Sequence, residues 1–249
     1  MTKRITAGKI KHYELNLMIK DSLKKHKEII LEEVSGQRYI GDGLKGKFKI
    51  EINGTPGNDL GAFMDGPSIE VFGNGQDGIG NTMNTGKIVI HGDCGDILGY
   101  SMRGGRIFIK GDVGYRAGIH MKSFNEKRPV LIIGGSAGNF LGEYMAGGII
   151  IILGQKNQKH PLYQRDIVGN YVGTGMHGGI IYIKEDIEEY KLGKEVKKEK
   201  VSNEDVTIIK KHILDFYRLF GIDKHDIEQE KFYKLIPHSH RPYGKLYTY

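Results

Sequence analysis

The chain has 249 residues, a net charge of +7, and 37 glycines but only six prolines. Glycine at about twice its ordinary frequency, without extra proline, excludes collagen and disordered linkers and predicts a backbone with many tight turns. The single cysteine, Cys94, excludes a disulfide framework and a zinc or iron–sulfur cluster held by this chain alone. The segment Met1–Lys20 lacks the apolar core of a signal peptide. We therefore expect a soluble cytoplasmic protein.

The positive charge does not indicate nucleic-acid binding. Much of the lysine lies in Lys194–Lys200, where it alternates with glutamate as on a solvated surface. Nothing in the chain has the length and apolarity of a membrane span. We therefore expect neither nucleic acid nor a membrane as a partner.

The N-terminal part of the chain, up to residue 35, carries only weak patterns. Residues 1–13 show no periodicity and are expected to form an arm. Asn16 to about Lys25 predicts a short, weakly amphipathic helix, and Glu28–Val34 predicts a strand. The apolar positions of the predicted helix are Leu17, Ile19 and Leu23.

Six methionines occupy a fixed place in an internal repeat. Each stands at the third position after a glycine, and the first four of these glycines, from Gly61 to Gly118, are evenly spaced. The next steps, to Gly142 and then Gly173, are longer, and we interpret them as the same repeat with insertions of five and twelve. A period of about 19 residues indicates a solenoid. The methionines are Met64, Met83, Met102, Met121, Met145 and Met176.

Each repeat ends in a short aliphatic pair with period two, such as Ile88 and Ile90, which predicts a strand with one buried face. The unit is too short for a propeller blade, lacks the leucines of a leucine-rich repeat, and contains too much glycine for two helices. The pattern therefore predicts an all-β fold, a right-handed parallel β-helix of about seven coils with the methionines inside. Gly36–Gly54 is a degenerate first coil, with Lys45 at the methionine position.

Two further columns follow from aligning the repeats. Asparagine or aspartate recurs at the second position of the repeat and is expected to form Asx-type turns, as at Asp77 and Asp96. The residue between each aliphatic pair becomes apolar along the chain, which predicts a covered face. Asn203–Phe220 is a suitable cover, an amphipathic helix with Ser202 as N-cap and Gly221 as C-cap. The column between the pairs is Glu70, Val89, Phe108, Ile132, Ile151 and Tyr182.

No catalytic, cofactor-binding or metal-binding residue emerges from the sequence. His238 and His240 form an H-x-H without a third ligand nearby, and Cys94 has no identifiable base. The glycine-rich segments Gly73–Gly80 and Gly169–Gly175 suggest phosphate-binding loops, but a repeat strand rather than a helix follows each, so we interpret them as turns. The residues alone thus predict a structural protein without an active site.

The repeats resemble a known family. The recurring glycines of Gly138–Gly147 and Gly99–Asp112 resemble those of the glycine-motif β-helix that closes the large subunit of glutamate synthase. Gly54–Gly66 resembles the opening coil of that domain, and Lys231–Lys245 resembles the end of the same chain. The resemblance covers most of residues 30–245. The same β-helix occurs in the C subunit of formylmethanofuran dehydrogenase.

The resemblance implies a non-catalytic subunit of a split glutamate synthase, which forms glutamate from glutamine and 2-oxoglutarate. In that family the amidotransferase and the FMN and iron–sulfur domains are separate parts, and neither is present here. The implied partners are therefore a glutamine amidotransferase subunit and an FMN/iron–sulfur synthase subunit, and this chain binds no cofactor itself. The alternatives are a scaffold in formylmethanofuran dehydrogenase or a related redox enzyme, and an independent enzyme or ligand-binding module.

Three regions are predicted: an arm, helix and strand in 1–35, the β-helix in 36–186, and a helical extension and tail in 187–249. The insertions near Lys122–Arg128 and Lys156–Ile167 project from the repeat and are candidate docking loops. The sequence leaves open whether the chain forms a homo-oligomer.

Overall fold

A computed structural model describes residues 2–155, 166–223 and 231–238. One 11-stranded sheet contains every strand of the described part, in the order β1 to β9 and then β11 and β10. The strands are β1 (Thr2–Thr6), β2 (Glu28–Ser35), β3 (Lys49–Thr55), β4 (Asp65–Phe72), β5 (Thr85–Ile90), β6 (Arg106–Ile109), β7 (Val130–Ile133), β8 (Ala146–Ile152), β9 (Gly178–Ile183), β10 (Val196–Glu199) and β11 (Tyr233–Pro237). The helices are α1 (His12–Leu23) and α2 (Asn203–Phe220), with a 3₁₀ turn at Glu189–Lys191.

Strands β1 to β9 pair in parallel, one per turn of the chain, as the repeat predicts. The aliphatic positions lie in register, so that Ile88 pairs with Ile107 and Ile107 with Leu131, across the first insertion. The regular repeats make a β-solenoid of about six turns. β11 and β10 then extend the sheet in the antiparallel direction.

The N-terminal arm is an exception to the prediction. Residues Thr2–Thr6 form strand β1, which pairs in parallel with β2 and makes the first edge of the sheet. Helix α1 begins at His12, earlier than the predicted start at Asn16, and buries Leu15, Ile19 and Leu23. Leu17, expected on the apolar side, is exposed.

The core of the solenoid is apolar along its whole length. All six methionines of the repeat are fully buried in it, as is the column from Leu60 to Val172 that precedes them. In the degenerate first coil the methionine position belongs to Leu44 and not to Lys45. The Asp65 N–H bonds to the Leu44 carbonyl, just as the Asn84 N–H bonds to that of Met64. The first coil has one extra residue there, so Lys45 is exposed.

The repeat glycine is required at its position. From Gly61 to Gly173 it has φ between 66° and 75°, a region that side chains other than glycine rarely occupy. A Cβ atom on Gly80 would also lie 2.3 Å from Cδ1 of Ile107, in the next coil. The backbone turns sharply at the repeat glycine, and the Cα atom of this glycine packs directly against the core.

The acidic column forms ladders between coils and not Asx turns within one. The Asp77 carboxylate accepts the Asp96 N–H at 2.9 Å, and the Asp96 carboxylate accepts the Tyr115 N–H at 2.7 Å. A second ladder runs through Asp93, whose Oδ1 accepts the Asp112 N–H at 2.8 Å. Glycines precede Asp96 and Asp112 for the same reason. A Cβ on Gly95 would lie 2.0 Å from Oδ1 of Asp77, and one on Gly111 would lie 1.9 Å from Oδ1 of Asp93.

Helix α2 covers the apolar residues that lie between the aliphatic pairs, as predicted, and forms a second hydrophobic core with them. The predicted caps are both present: Ser202 and Asp205 form a capping box, and Gly221 ends the helix in the left-handed conformation at φ 61°. The helix buries Ile209, Ile213 and Phe216 against the sheet. The described part of the chain contains no helix with the length and apolar character needed to cross a bilayer.

Candidate functional site

One corner of the solenoid combines a strained backbone with exposed aromatic side chains. In each coil the residues two before and two after the repeat glycine also have positive φ, such as Arg116 (57°) and His120 (53°), or Phe140 (63°) and Tyr144 (51°). Side chains at these positions point away from the buried glycine column, and in the coils of Gly118 to Gly173 they are largely exposed. Together with the neighbouring Tyr100 they form a surface that we call the aromatic corner. It consists of Tyr100, Arg116, His120, Phe140, Tyr144 and Tyr171.

The aromatic corner consists of two stacks that run from coil to coil. In one, Tyr100 meets His120 edge-on at 5.9 Å, and His120 lies flat on Tyr144, with ring centroids 5.3 Å apart. In the other, the Arg116 guanidinium lies 4.7 Å from the centroid of Phe140, which stacks on Tyr171 at 4.9 Å. Each step is close to the spacing between paired strands, about 4.8 Å. The ladder pairing therefore sets the spacing of the rings.

A buried carboxylate holds the corner in place. Glu143 lies in sequence between Phe140 and Tyr144, is only 8% exposed, and accepts a 2.8 Å hydrogen bond from Nε of Arg116. The Arg116 side chain is thereby fixed between Phe140 and Glu143. The charges of the two side chains balance, so this pair adds no net charge to the surface.

The hairpin 122–128 adjoins the corner. It begins just after His120 and Met121, and an antiparallel bridge between Phe124 and Lys127 closes its two-residue turn. It rests on two glycines: a Cβ on Gly147 would lie 2.5 Å from the Ser123 nitrogen, and one on Gly104 would lie 3.1 Å from Cβ of Lys127. Every residue from 122 to 128 is exposed, as expected of a docking loop. The other predicted docking loop is Lys156–Ile167, and its residues 156–165 lie outside the described part of the chain.

Asp205 joins α2 to the sheet. This carboxylate, 4% exposed, accepts hydrogen bonds from the Tyr182 hydroxyl (2.6 Å), the Ser202 backbone and hydroxyl (2.8 Å each) and Nζ of Lys234 (3.0 Å). Burial alone would raise the pKa of Asp205, but these donors outweigh it and lower the pKa to about 2. Burial together with the bond to Asp205 raises the pKa of the Tyr182 hydroxyl. These residues satisfy one another's hydrogen bonds, so we interpret the group as a structural anchor that holds α2 on the sheet.

The architecture has known relatives. Residues 3–238 match the GXGXG motif. The chain belongs to the GXGXG motif family. The resemblance seen in the repeats, to the glycine-motif β-helix of glutamate synthase, is thereby confirmed at the level of the family.

Two individual proteins are similar to this GXGXG chain. An uncharacterized protein of Methanocaldococcus jannaschii is 46% identical over 256 residues, which cover 100% of this chain and 97% of that protein. Among solved structures, a chain of the formyltransferase/hydrolase complex of Methylorubrum extorquens, solved with methylofuran, superimposes with a TM-score of 0.59 at 20% identity. The match covers 86% of this chain and 84% of the other. At that identity the likeness shows a shared fold.

The candidate groups found in the sequence have structural roles or are separated. Cys94 lies in the core of the GXGXG solenoid, where burial raises the pKa of its thiol. Gly73–Gly80 and Gly169–Gly175 are turns between strands. His238 is exposed at the end of β11, while His240 is outside the described residues. No three His, Cys, Asp or Glu side chains converge as metal ligands within residues 2–155, 166–223 and 231–238.

Sequence reasoning missed the aromatic corner, because its residues share no chemical type from coil to coil. The two positions are aspartate, glycine or threonine in some coils, as at Asp59, Gly78 and Thr82. His120 and Tyr144 both stand two residues after their repeat glycine, but the insertion between them hides this in a strict 19-residue alignment. Aligning the repeat by its glycine and then reading the flanking columns would have revealed the stacks.

His212 is a buried imidazole on the inner side of α2. Its Nδ1 atom is buried without a hydrogen-bond partner among the described residues. Burial, with the nearby cations Lys211 and Arg106, lowers the pKa of His212 to about 4, and Asp215 opposes this only in part. The neutral imidazole therefore favours the packed helix, whereas a proton on it would oppose that packing.

We expect His212 to make stability depend on pH. Between pH 6.5 and about 4 the unfolded chain binds a proton at this imidazole and the folded chain does not, so the free energy of unfolding falls as the pH is lowered through this window. Replacing His212 with leucine should make the loss from pH 7 to pH 4.5 smaller by about 2 kcal/mol, measured by urea denaturation at both pH values. An unchanged pH dependence in the variant would contradict this role of the imidazole.

Proposed function

We propose that this chain is a non-catalytic β-helix subunit that holds the catalytic chains of a multi-subunit enzyme, with a split glutamate synthase as the first candidate. The family match from residue 3 to residue 238 carries the proposal, because the part of glutamate synthase that this chain resembles is a spacer between catalytic domains. In this proposal a glutamine amidotransferase subunit releases ammonia and an FMN/iron–sulfur subunit uses it to form glutamate. The cofactors belong to the partner and the complex is cytoplasmic.

The geometry suits a spacer. One ladder of parallel strands joins the coils without interruption from β1 to β9, so the ends of the solenoid are held at a fixed separation. The core is apolar throughout. The buried carboxylate of Asp205, which joins α2 to the sheet, accepts hydrogen bonds from neighbouring side chains. Such a body is rigid and supports partners on its outside.

The second candidate is a scaffold subunit of a complex that transfers or hydrolyses formyl groups. It is favoured by the fold shared with a chain of the Methylorubrum extorquens formyltransferase/hydrolase complex. Both candidates assign the same structural role to this chain and differ in the chains that it holds.

Co-purification separates the two candidates. The tagged full-length chain would be co-expressed, in separate arms, with the amidotransferase and FMN/iron–sulfur synthase chains and with the formyltransferase/hydrolase chains of the same organism. We expect one defined complex in the first arm, seen by size exclusion with light scattering, and glutamate formation from glutamine and 2-oxoglutarate that rises when this chain is added. A complex in the second arm alone would favour the formyl-transfer role. Elution of the free chain in both arms would contradict the proposal.

A further inference from the structure

We propose that the aromatic corner and the hairpin 122–128 together form the surface on which a partner subunit docks, and that the partner presents a carboxylate-rich face to it. This inference rests on the proposed function, because it requires a partner subunit. It adds the location of the contact and the chemistry of the other side.

Fold stability does not explain the aromatic corner. Each non-glycine residue in the left-handed region costs about 1 to 2 kcal/mol, whereas an aromatic pair contributes about 0.5 to 1.5 kcal/mol beyond area burial. The two terms roughly cancel, and glycine occupies equivalent positions elsewhere in the solenoid, at Gly43, Gly78 and Gly175. Tyr144 and Tyr171 are nevertheless kept there with 46% and 53% of their surface exposed. The positive φ recurs in every coil, so the exposed and stacked rings are what sets the corner apart. Exposed apolar side chains grouped in this way are typical of binding surfaces.

The composition and rigidity of the corner suit a protein interface. Tyrosine, phenylalanine and arginine are among the side chains that are enriched in such interfaces. Here they are stacked, and Glu143 fixes the guanidinium of Arg116. Because the rings are already ordered, their side chains lose little further conformational entropy when a partner binds. The exposed Phe124 extends the apolar surface onto the hairpin.

The charges around the corner determine the chemistry of the partner. The hairpin presents Lys122, Lys127 and Arg128 against one acid, Glu126. None of the three cations forms an ion pair with another described residue, unlike Arg116, which Glu143 neutralises. A partner that covers the rings therefore meets an excess of positive charge at their edge. Carboxylates on its surface would match that charge and speed its association.

The chain provides matched controls for both parts of the surface. Phe63 has the same position in its coil as Tyr144, the same backbone conformation (φ 56°) and a similar exposure, 52%. Its neighbours in the column are Gly43 and Thr82, so it has no stack and lies outside the corner. For the charges, Lys47 is an exposed lysine of the first coil that can be matched with Lys127.

The test measures binding of the full-length variants to the partner chains with which the wild type co-purifies. We expect Tyr144→Ala to weaken the affinity about tenfold or more and Phe63→Ala to change it less than about twofold. Lys127→Glu should weaken binding where Lys47→Glu does not, and the wild-type affinity should fall as salt is raised from about 0.05 to 0.3 M. Thermal melting of each variant checks that it is folded, and we expect all four to melt within a few degrees of wild type.

Each remaining outcome decides between the claims. If the wild type binds the partner chains and the corner variants bind equally well, the docking surface is wrong and the proposed function stands. If the wild type binds none of the candidate chains, the proposed function fails and this inference fails with it. If the wild type is a dimer in light scattering and Tyr144→Ala makes it monomeric, the corner joins two copies of this chain, and the acidic partner is wrong.

Discussion

Replacing Gly99 with valine is expected to lower the free energy of unfolding by about 4 kcal/mol or more. Gly99 has φ 66°, which a β-branched residue tolerates poorly. A Cβ there would also lie 3.1 Å from both terminal methyls of Leu131 in the next coil, before any further atoms are added. The two penalties act together, because the core cannot move without displacing the strand ladder. Urea denaturation measures the loss.

Gly43→Val is the matched control, since it separates the backbone strain from the crowding. Gly43 has nearly the same conformation, φ 62°, but nothing lies within 4 Å of a Cβ on it. We therefore expect a loss of only about 1 to 2 kcal/mol at this position. Equal losses at Gly43 and Gly99 would show that packing against Leu131 contributes nothing. A Gly99 variant as stable as the wild type would contradict the position of the turn itself.

Replacing Asp205 with asparagine is expected to cost about 3 to 4 kcal/mol, or roughly 10 °C in Tm. Asparagine has one acceptor oxygen where the carboxylate has two, so the donors from Tyr182, Ser202 and Lys234 cannot all be satisfied. The ammonium of Lys234, mostly buried, would also lose its counterion. Thermal melting followed by circular dichroism measures the effect, and α2 should be lost early in the transition.

Glu204→Gln is the control for Asp205. Glu204 is in the same first turn of α2 but is exposed, so its only contribution is to the helix dipole, about 0.3 to 1 kcal/mol. The sign of the pH effect gives a second check. Because the folded pKa of Asp205 is lowered to about 2, its stabilisation is complete above about pH 4 and is lost as the pH falls through 2. The asparagine variant should lack that acid-dependent loss, and a variant that retains it would contradict the assignment.

The features that the sequence predicted are those with a strong local period. The aliphatic pairs indicated the strands because period two is a property of single strands, and Ser202 and Gly221 marked both ends of α2 because caps are local. Strand β1 was missed because TKRIT has one apolar residue, Ile5, and pairs on one side only. The place of Leu44 was missed because one extra residue breaks the regular step of the repeat in the first coil.

The site residues were missed because their contacts are made between coils and not within one continuous stretch of sequence. Asp205 carries no sign that Tyr182 and Lys234, 23 and 29 residues away, would reach it. His120 likewise meets Tyr144 only because the insertion between them leaves the strand register unchanged. The residues at the positive-φ positions differ in type from coil to coil, so no sequence motif marks the aromatic corner. The three-domain division stays a prediction.

The carboxylate ladders give the rod a direction. Asp93 accepts from the N–H of Asp112, and Asp112 accepts from that of Ser136, so each coil offers its acceptor to the coil that follows it in the chain. A completed coil therefore presents hydrogen-bond acceptors to the segment that is synthesised next. The nascent chain can add one coil at a time to the part that has already folded.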